Sequence, residues 1–272
     1  MMNKNNTKLI LLTALISISN ISLAEKAPFE SSYEPLPSTN TIFRNANIYD
    51  GEGNEFSETD LLIKDGKIIA MGTDLPGSPE FIEVDASGKW ITPGIIDIHS
   101  HMGVYSAPSV SSSSDGNEST SPITADVWAE HSIWTQDPQF ALALKGGVTT
   151  FHVLPGSANL IGGRGVTAKN LQRNTINSMK FPNAPHTLKM ACGENPKRVY
   201  GNRKQAPSTR MGNIAGYRKA WIEAESYLSR LDEYESKSDE AKEIGYKPKR
   251  DLELETLAGV LRGEILVHNH CY

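Results

Sequence analysis

The stretch Trp90-Ile-Thr-Pro-Gly-Ile-Ile-Asp-Ile-His-Ser-His-Met-Gly103 decides how the rest of the chain is read. Its apolar run is opened by Pro93-Gly94 and is too short for a helix, so it reads as a buried β-strand. Side chains two apart on a strand share a face, so His99 and His101 project together, with Asp97 on the same side. Two imidazoles on one face can ligate one divalent cation, because a neutral ring nitrogen is a common zinc ligand. A lone His-x-His at a strand end is equally well a packing feature, and the surrounding chain has to decide between the two.

Upstream of this stretch the pattern is all β. Thr41 to Tyr49 is strand-like and ends at Asp50-Gly51. Asp60–Lys64 and Lys67–Met71 flank Asp65-Gly66, a hairpin signal because both turn residues must tolerate positive φ. Phe81 to Asp85 adds a further short strand, so residues 41–90 are expected to form a small, β-sandwich-like domain. Residues 25–40, rich in Pro, Ser and Glu, read as a linker. Lys4 and Lys8, the apolar run from Leu9 and the small residues Ser22-Leu-Ala24 give residues 1–24 the pattern of a cleaved secretory signal peptide. The apolar run is short for a membrane span and is interrupted by Ser and Asn20. A periplasmic or secreted chain is therefore expected, with no membrane contact after cleavage.

Downstream the pattern changes to strands alternating with helices, which reads as parallel α/β architecture. Strands are expected at Ile95–His101, Gly147–Leu154, Gly165–Lys169, Leu188–Cys192 and Glu264–His270. Helices are expected at Gln136–Lys145, along the stripe Ile214, Tyr217, Trp221, Ala224, Leu228 and Leu231, and over Asp251–Arg262, with Glu235–Arg250 as an exposed charged connection. The polar tract Ser106–Ser121 reads as a loop on the side of the histidines, and the glycine-rich segment Pro155–Gly165 as a loop that brings backbone amides toward a ligand. Within that segment Ser157, Asn159 and Arg164 are candidate substrate contacts; Arg164 could grip a carboxylate through its fork of donors or serve at the surface.

The last expected strand ends in a second pair, His268-Asn-His270. In a (β/α)₈ barrel the functional groups gather at the carboxyl ends of the strands, around one mouth. Two such pairs among seven histidines are therefore expected to meet in one metal site. His131, His152 and His186 lack a partner at ligand spacing and read as surface or core residues, and Trp128, Trp134 and Trp221 as packing residues.

Composition sets the outer limits. A chain of 272 residues suits one large or two modest domains, and a net charge of −5 gives no basic face for nucleic acid. Cys192 and Cys271 are too few for a disulfide framework; a single bridge and two buried thiols both fit. A barrel of eight units needs roughly 250 residues, and the chain after Trp90 is shorter than that. The fold class expected is α/β, an incomplete (β/α)₈ TIM-type barrel of about five strands spanning 91–272. Five strands cannot close such a barrel, and an N-terminal part of a longer protein is the simplest reading.

The segments Ile91-Thr-Pro-Gly-Ile-Ile-Asp-Ile-His-Ser-His101, Gly146-Gly-Val-Thr-Thr150, Pro155-Gly-Ser-Ala-Asn159, Lys189-Met-Ala-Cys-Gly-Glu-Asn-Pro-Lys197 and Val267-His-Asn-His270 together resemble the amidohydrolase superfamily. Within it the chain is most similar to the secreted imidazolonepropionase-like metal-dependent hydrolases. The resemblance implies a metal-dependent hydrolase of C–N bonds in small molecules, with one or two divalent ions, zinc by preference. It makes His99 and His101 first-strand ligands and His270, with His268 second, the fifth-strand ligand. The fourth-strand slot, a carboxylated lysine or a glutamate in that family, falls at Glu194 or Lys189; Glu194 is preferred because it lies nearer the expected mouth. The family's general-base aspartate, on the eighth strand, is expected beyond Tyr272, which would leave the isolated chain inactive. A non-catalytic exported binding or scaffold protein on a degenerate barrel is the alternative.

Overall fold

The computed structural model describes residues 29–271, and residues 31–271 form one compact unit. The expected signal peptide lies outside the described residues. Among those residues no helix is long and apolar enough to cross a membrane.

The N-terminal part is a single five-stranded sheet, not the two facing sheets of a sandwich. β1 (Thr41–Tyr49) is central and pairs antiparallel with β2 (Glu55–Lys64), which pairs antiparallel with β3 (Lys67–Gly72). β4 (Ile82–Asp85) and the short β5 (Trp90–Ile91) both run parallel to β1. The turn between β2 and β3 has φ of 50° at Asp65 and 72° at Gly66, the conformation that Asp-Gly was expected to supply. Ala46, Ile48, Leu61 and Ala86 form its buried core. Arg44 fastens the layer, its guanidinium 2.7 Å from both Asp60 and Glu83.

The second sheet has the order β10-β9-β8-β7-β6 and curls into a half-barrel. Its strands are β6 (Ile95–Ser100), β7 (Val148–Val153), β8 (Ile161–Lys169), β9 (Thr187–Ala191) and β10 (Leu266–His270). The expected strand positions hold, but β8 starts four residues earlier and absorbs the end of the glycine-rich segment. It also runs antiparallel to both neighbours, whereas β6–β7 and β9–β10 are parallel. The reason lies in the connections. A parallel partner needs a crossover of about a dozen residues or more, usually helical. The seven residues from Leu154 to Leu160 hold no helix, so the chain doubles back.

Helices cover one face of this sheet. α1 (Pro138–Lys145) follows β6, capped by Asp137, whose carboxylate accepts from Gln139 N. Its Phe140 packs on Phe151 and Val153 of β7 and on Val166 and Ala168 of β8. Between β9 and β10 come α2 (Glu194–Asn202), α3 (Arg210–Glu235), the short α4 (Asp239–Ile244) and α5 (Leu252–Leu261), the last capped by Asp251. Leu188 and Met190 of β9 face Tyr217, Ala220 and Ala224 of α3 and Leu257 of α5. Full burial of side chains such as Phe151, Leu188 and Leu257 stabilises the layer by about 2 kcal/mol each.

The apolar stripe expected on α3 is rotated. Asn213, Tyr217, Ala220, Ala224 and Tyr227 are buried, and Ile214 is exposed. Small residues at 220 and 224 let the helix approach the sheet, and Asn213 and Tyr217 reach polar backbone at the end of β9. Cys192 and Cys271 form a disulfide.

Candidate functional site

Alternation along the strands decides what meets inside the half-barrel. The odd-face residues of β7 and the even-face residues of β9 pack under the helices, so the other set points inward: His152, Thr187, Lys189, His268 and His270, with His99 and His101 from β6. The four histidines of the two His-x-His pairs lie edge to face. His99 is central, with ring centroids 5.2 Å from His101, 4.8 Å from His268 and 5.1 Å from His270. The pairs come from β6 and β10, the first and last strands in the order of the described sheet.

Lys189 is the fifth member. It is fully buried, and its Nζ lies 3.1 Å from His99 Nε2. Burial lowers its pKa to about 8, so a sizeable share of the amine is neutral near physiological pH. His99 is pushed down to about 4, first by burial and then by Lys189 and the neighbouring rings. Burial likewise lowers His101, offset in part by the hydrogen bond to Leu154, and it lowers His268. These imidazoles are therefore neutral at pH 7. His101 Nδ1 is 2.9 Å from the Leu154 carbonyl; a carbonyl only accepts, so Nδ1 carries the proton and Nε2 the lone pair.

Below this cluster His152 is a satisfied core histidine, as expected. Its two ring nitrogens meet the hydroxyls of Thr167 and Thr187 at 2.8 and 2.7 Å. Gly165 leaves room for it, since a Cβ there would stand 2.8 Å from His152 Nε2 and 2.6 Å from Thr187 Oγ1.

The other candidates part company. Ser157 is at the cluster, with Oγ 2.7 Å from His270 Nδ1. Asn159 is 1% exposed and faces the protein: its amide donates to the carbonyls of Glu118 and Ser121 and to Thr124 Oγ1, tying down the polar tract. Arg164 points to the helical face, where Nε donates to Thr256 of α5 and the guanidinium lies 4.3 Å from the Trp128 ring. Strand alternation puts it there once residues 161–165 are β and not loop. Glu194 opens α2 and bonds Arg198 one turn on, at 2.9 Å, away from the histidines. Of the two fourth-strand candidates, Lys189 is the one beside the histidines; a lysine inside the apolar run Leu188–Cys192 is a buried amine, which needs a partner.

The donor set suits a divalent cation in kind: neutral imidazoles from two strands, with a lysine of low pKa beside them. Among the described residues, however, no three or more His, Cys, Asp or Glu side chains stand at mutual ligating distances.

No protein-family model matches the chain. The amidohydrolase tasK of Hapsidospora irregularis is 36% identical over 257 residues, covering 88% of this chain and 25% of that protein. The crystal structure of an amidohydrolase from Thermotoga maritima MSB8 superposes with a TM-score of 0.75 at 36% identity, over 85% of this chain and 57% of that one. The chain belongs to the amidohydrolase superfamily. A dihydroorotase from Lactobacillus helveticus is 39% identical over 61 residues, 22% of this chain and 13% of that protein. The chain thus spans a quarter of the curated relative it matches over most of its length and little more than half of the solved one.

Proposed function

We propose that this member of the superfamily acts in the metal-dependent hydrolysis of C–N bonds in small cyclic amides or dipeptides. The carrying observation is the convergence of His99, His101, His268 and His270 with buried Lys189 on the inner wall of the half-barrel. His99, His101, His268 and His270 would hold zinc or a related first-row ion. Such an ion, when bound, lowers the pKa of its water to near 7 and polarises a scissile carbonyl.

The protein's own groups prepare that site. The depressed pKa values of His99, His101 and His268 keep those three imidazoles unprotonated, so they have no proton to give up on binding. The Leu154 carbonyl turns His101 Nε2 into the donor. Lys189 would fill the fourth-strand slot: its neutral amine can add to CO₂, forming an N–C bond and losing a proton, and the carbamate would supply oxygen ligands. Relatives named dihydroorotase and L-hydantoinase support cyclic amides as the first substrate class to try. The Cys192–Cys271 bridge supports export to a periplasm or beyond, since disulfides persist in oxidising compartments.

The test is Co²⁺ and Zn²⁺ titration, with hydrolysis of hydantoins, dihydroorotate and dipeptides, on the protein as expressed from its gene. The variant carrying both His99→Ala and His101→Ala should lose metal binding and turnover together. Unchanged hydrolysis in that variant would sink the reading, and metal binding without turnover of any of these compounds would favour an exported binding protein.

A further inference from the structure

His270 is held by parts of the fold outside its own strand. β10 pairs in parallel with β9, His270 standing beside Ala191. Two further contacts hold it. Ser157, in the turn between β7 and β8, places Oγ 2.7 Å from His270 Nδ1. Cys271, the next residue after His270, is bonded to Cys192, whose own N–H donates to the His270 carbonyl at 3.3 Å.

Both grips are themselves anchored. Asn213 of α3 donates to the carbonyls of Cys192 and Gly193 at 2.9 and 3.0 Å, and Tyr217 OH donates to the Ala191 carbonyl at 2.5 Å. The Ser157 turn is pinned by Gly156 N donating to the Gly116 carbonyl and Ala158 N to Asn117 Oδ1.

We propose that Ser157 and the Cys192–Cys271 disulfide are positioning elements for His270: the hydroxyl fixes its ring and tautomer, and the bridge fixes its backbone against α3 through Cys192. In the proposed tautomer Nδ1–H donates to Ser157 Oγ and Nε2 keeps its lone pair, the state that the Leu154 carbonyl imposes on His101. In this role Ser157 acts through the histidine. The inference rests on the histidine cluster being a metal site only in its functional consequence; the geometry of His270 stands separately.

The experiment pairs two readouts on Ser157→Ala, Ser157→Thr and the double variant Cys192→Ser with Cys271→Ser. The first is ¹⁵N chemical shifts of the imidazole nitrogens in metal-free protein; the second is Co²⁺ affinity by absorption titration. Ser157→Ala should convert His270 from one tautomer to a mixture and weaken Co²⁺ by about 10-fold or more, the usual cost of losing an outer partner of a ligand. Ser157→Thr, which keeps the hydroxyl, should restore both. The cysteine double variant should broaden the His270 signals and weaken Co²⁺ to a similar extent, with the His101 signals unmoved as the control for folding. Unchanged His270 shifts in Ser157→Ala and in the cysteine variant would overturn the proposal. If the wild type takes up no Co²⁺, the metal reading fails, and the tautomer result still decides the positioning.

Discussion

Lys189 Nζ stands 3.1 Å from His99 Nε2, although ninety residues separate them and each lies in an apolar strand. A buried ammonium is costly, and its pKa falls to about 8 as a result. Only a neutral amine adds to CO₂, and burial raises the neutral share of Lys189. Lys189→Ala should therefore weaken Co²⁺ binding by about 10- to 100-fold. Native mass spectrometry in bicarbonate should show the wild type, and not the variant, heavier by one CO₂. A wild-type mass equal to that calculated from its sequence would remove the carbamate from the site.

A second buried charge is structural. Lys180 Nζ lies 2.7 Å from Glu130 Oε1 with both side chains almost wholly enclosed. Removing one partner strands the other charge, which costs about 3–5 kcal/mol. Lys180→Met should lower stability by that amount in urea unfolding, and Glu130→Gln combined with Lys180→Met should recover most of it. Additive losses would show that the two do not act as a pair.

Gly163 sits in the irregularity of β8, at φ +109°, where a Cβ would stand 2.3 Å from the Val127 carbonyl oxygen. Neither the backbone conformation nor the backbone oxygen yields cheaply. Gly163→Ala should cost about 2–4 kcal/mol, measured as a lowered melting temperature. A variant as stable as the wild type would mean that β8 straightens without penalty.

Glu253, in the first turn of α5, is raised to about 7 by burial, with Asp126 and Asp251 adding to the rise. The folded state then holds a proton that the unfolded state has lost between roughly pH 4.5 and 7, so this residue makes stability fall as pH rises through that window. Glu253→Gln removes the dependence. Above pH 7 it should stabilise the fold by on the order of 1 kcal/mol after solvent screening, and little at pH 5. Parallel pH profiles for the two proteins would refute this origin.

Much of the architecture is written in local pattern. Asp65-Gly66 forces its hairpin, Asp137 and Asp251 cap their helices, and the period of two puts His99 with His101 and His268 with His270 without knowledge of anything else. Recognition of the superfamily also rests on contiguous motifs. The direction of β8 is different in kind: it depends on whether the seven residues before it can carry a crossover, and a glycine-rich segment reads as loop until its pairing partners exist. That pairing sent Arg164 to α5 and brought Gly165 beneath His152.

The sequence by itself determined which side chains share a strand face, because alternation is a property of the backbone. Only the tertiary structure decided which faces meet. Lys189 and Glu194 are five positions apart, but one ends up inside the half-barrel against His99 and the other on α2 against Arg198, since the strand ends and the helix begins between them. Cys192 and Cys271 are likewise neutral as letters, and they join because β9 and β10 lie side by side in parallel. Contacts of that kind depend on sheet order and strand stagger, which are set by the packing of the whole half-barrel and by no local run of residues.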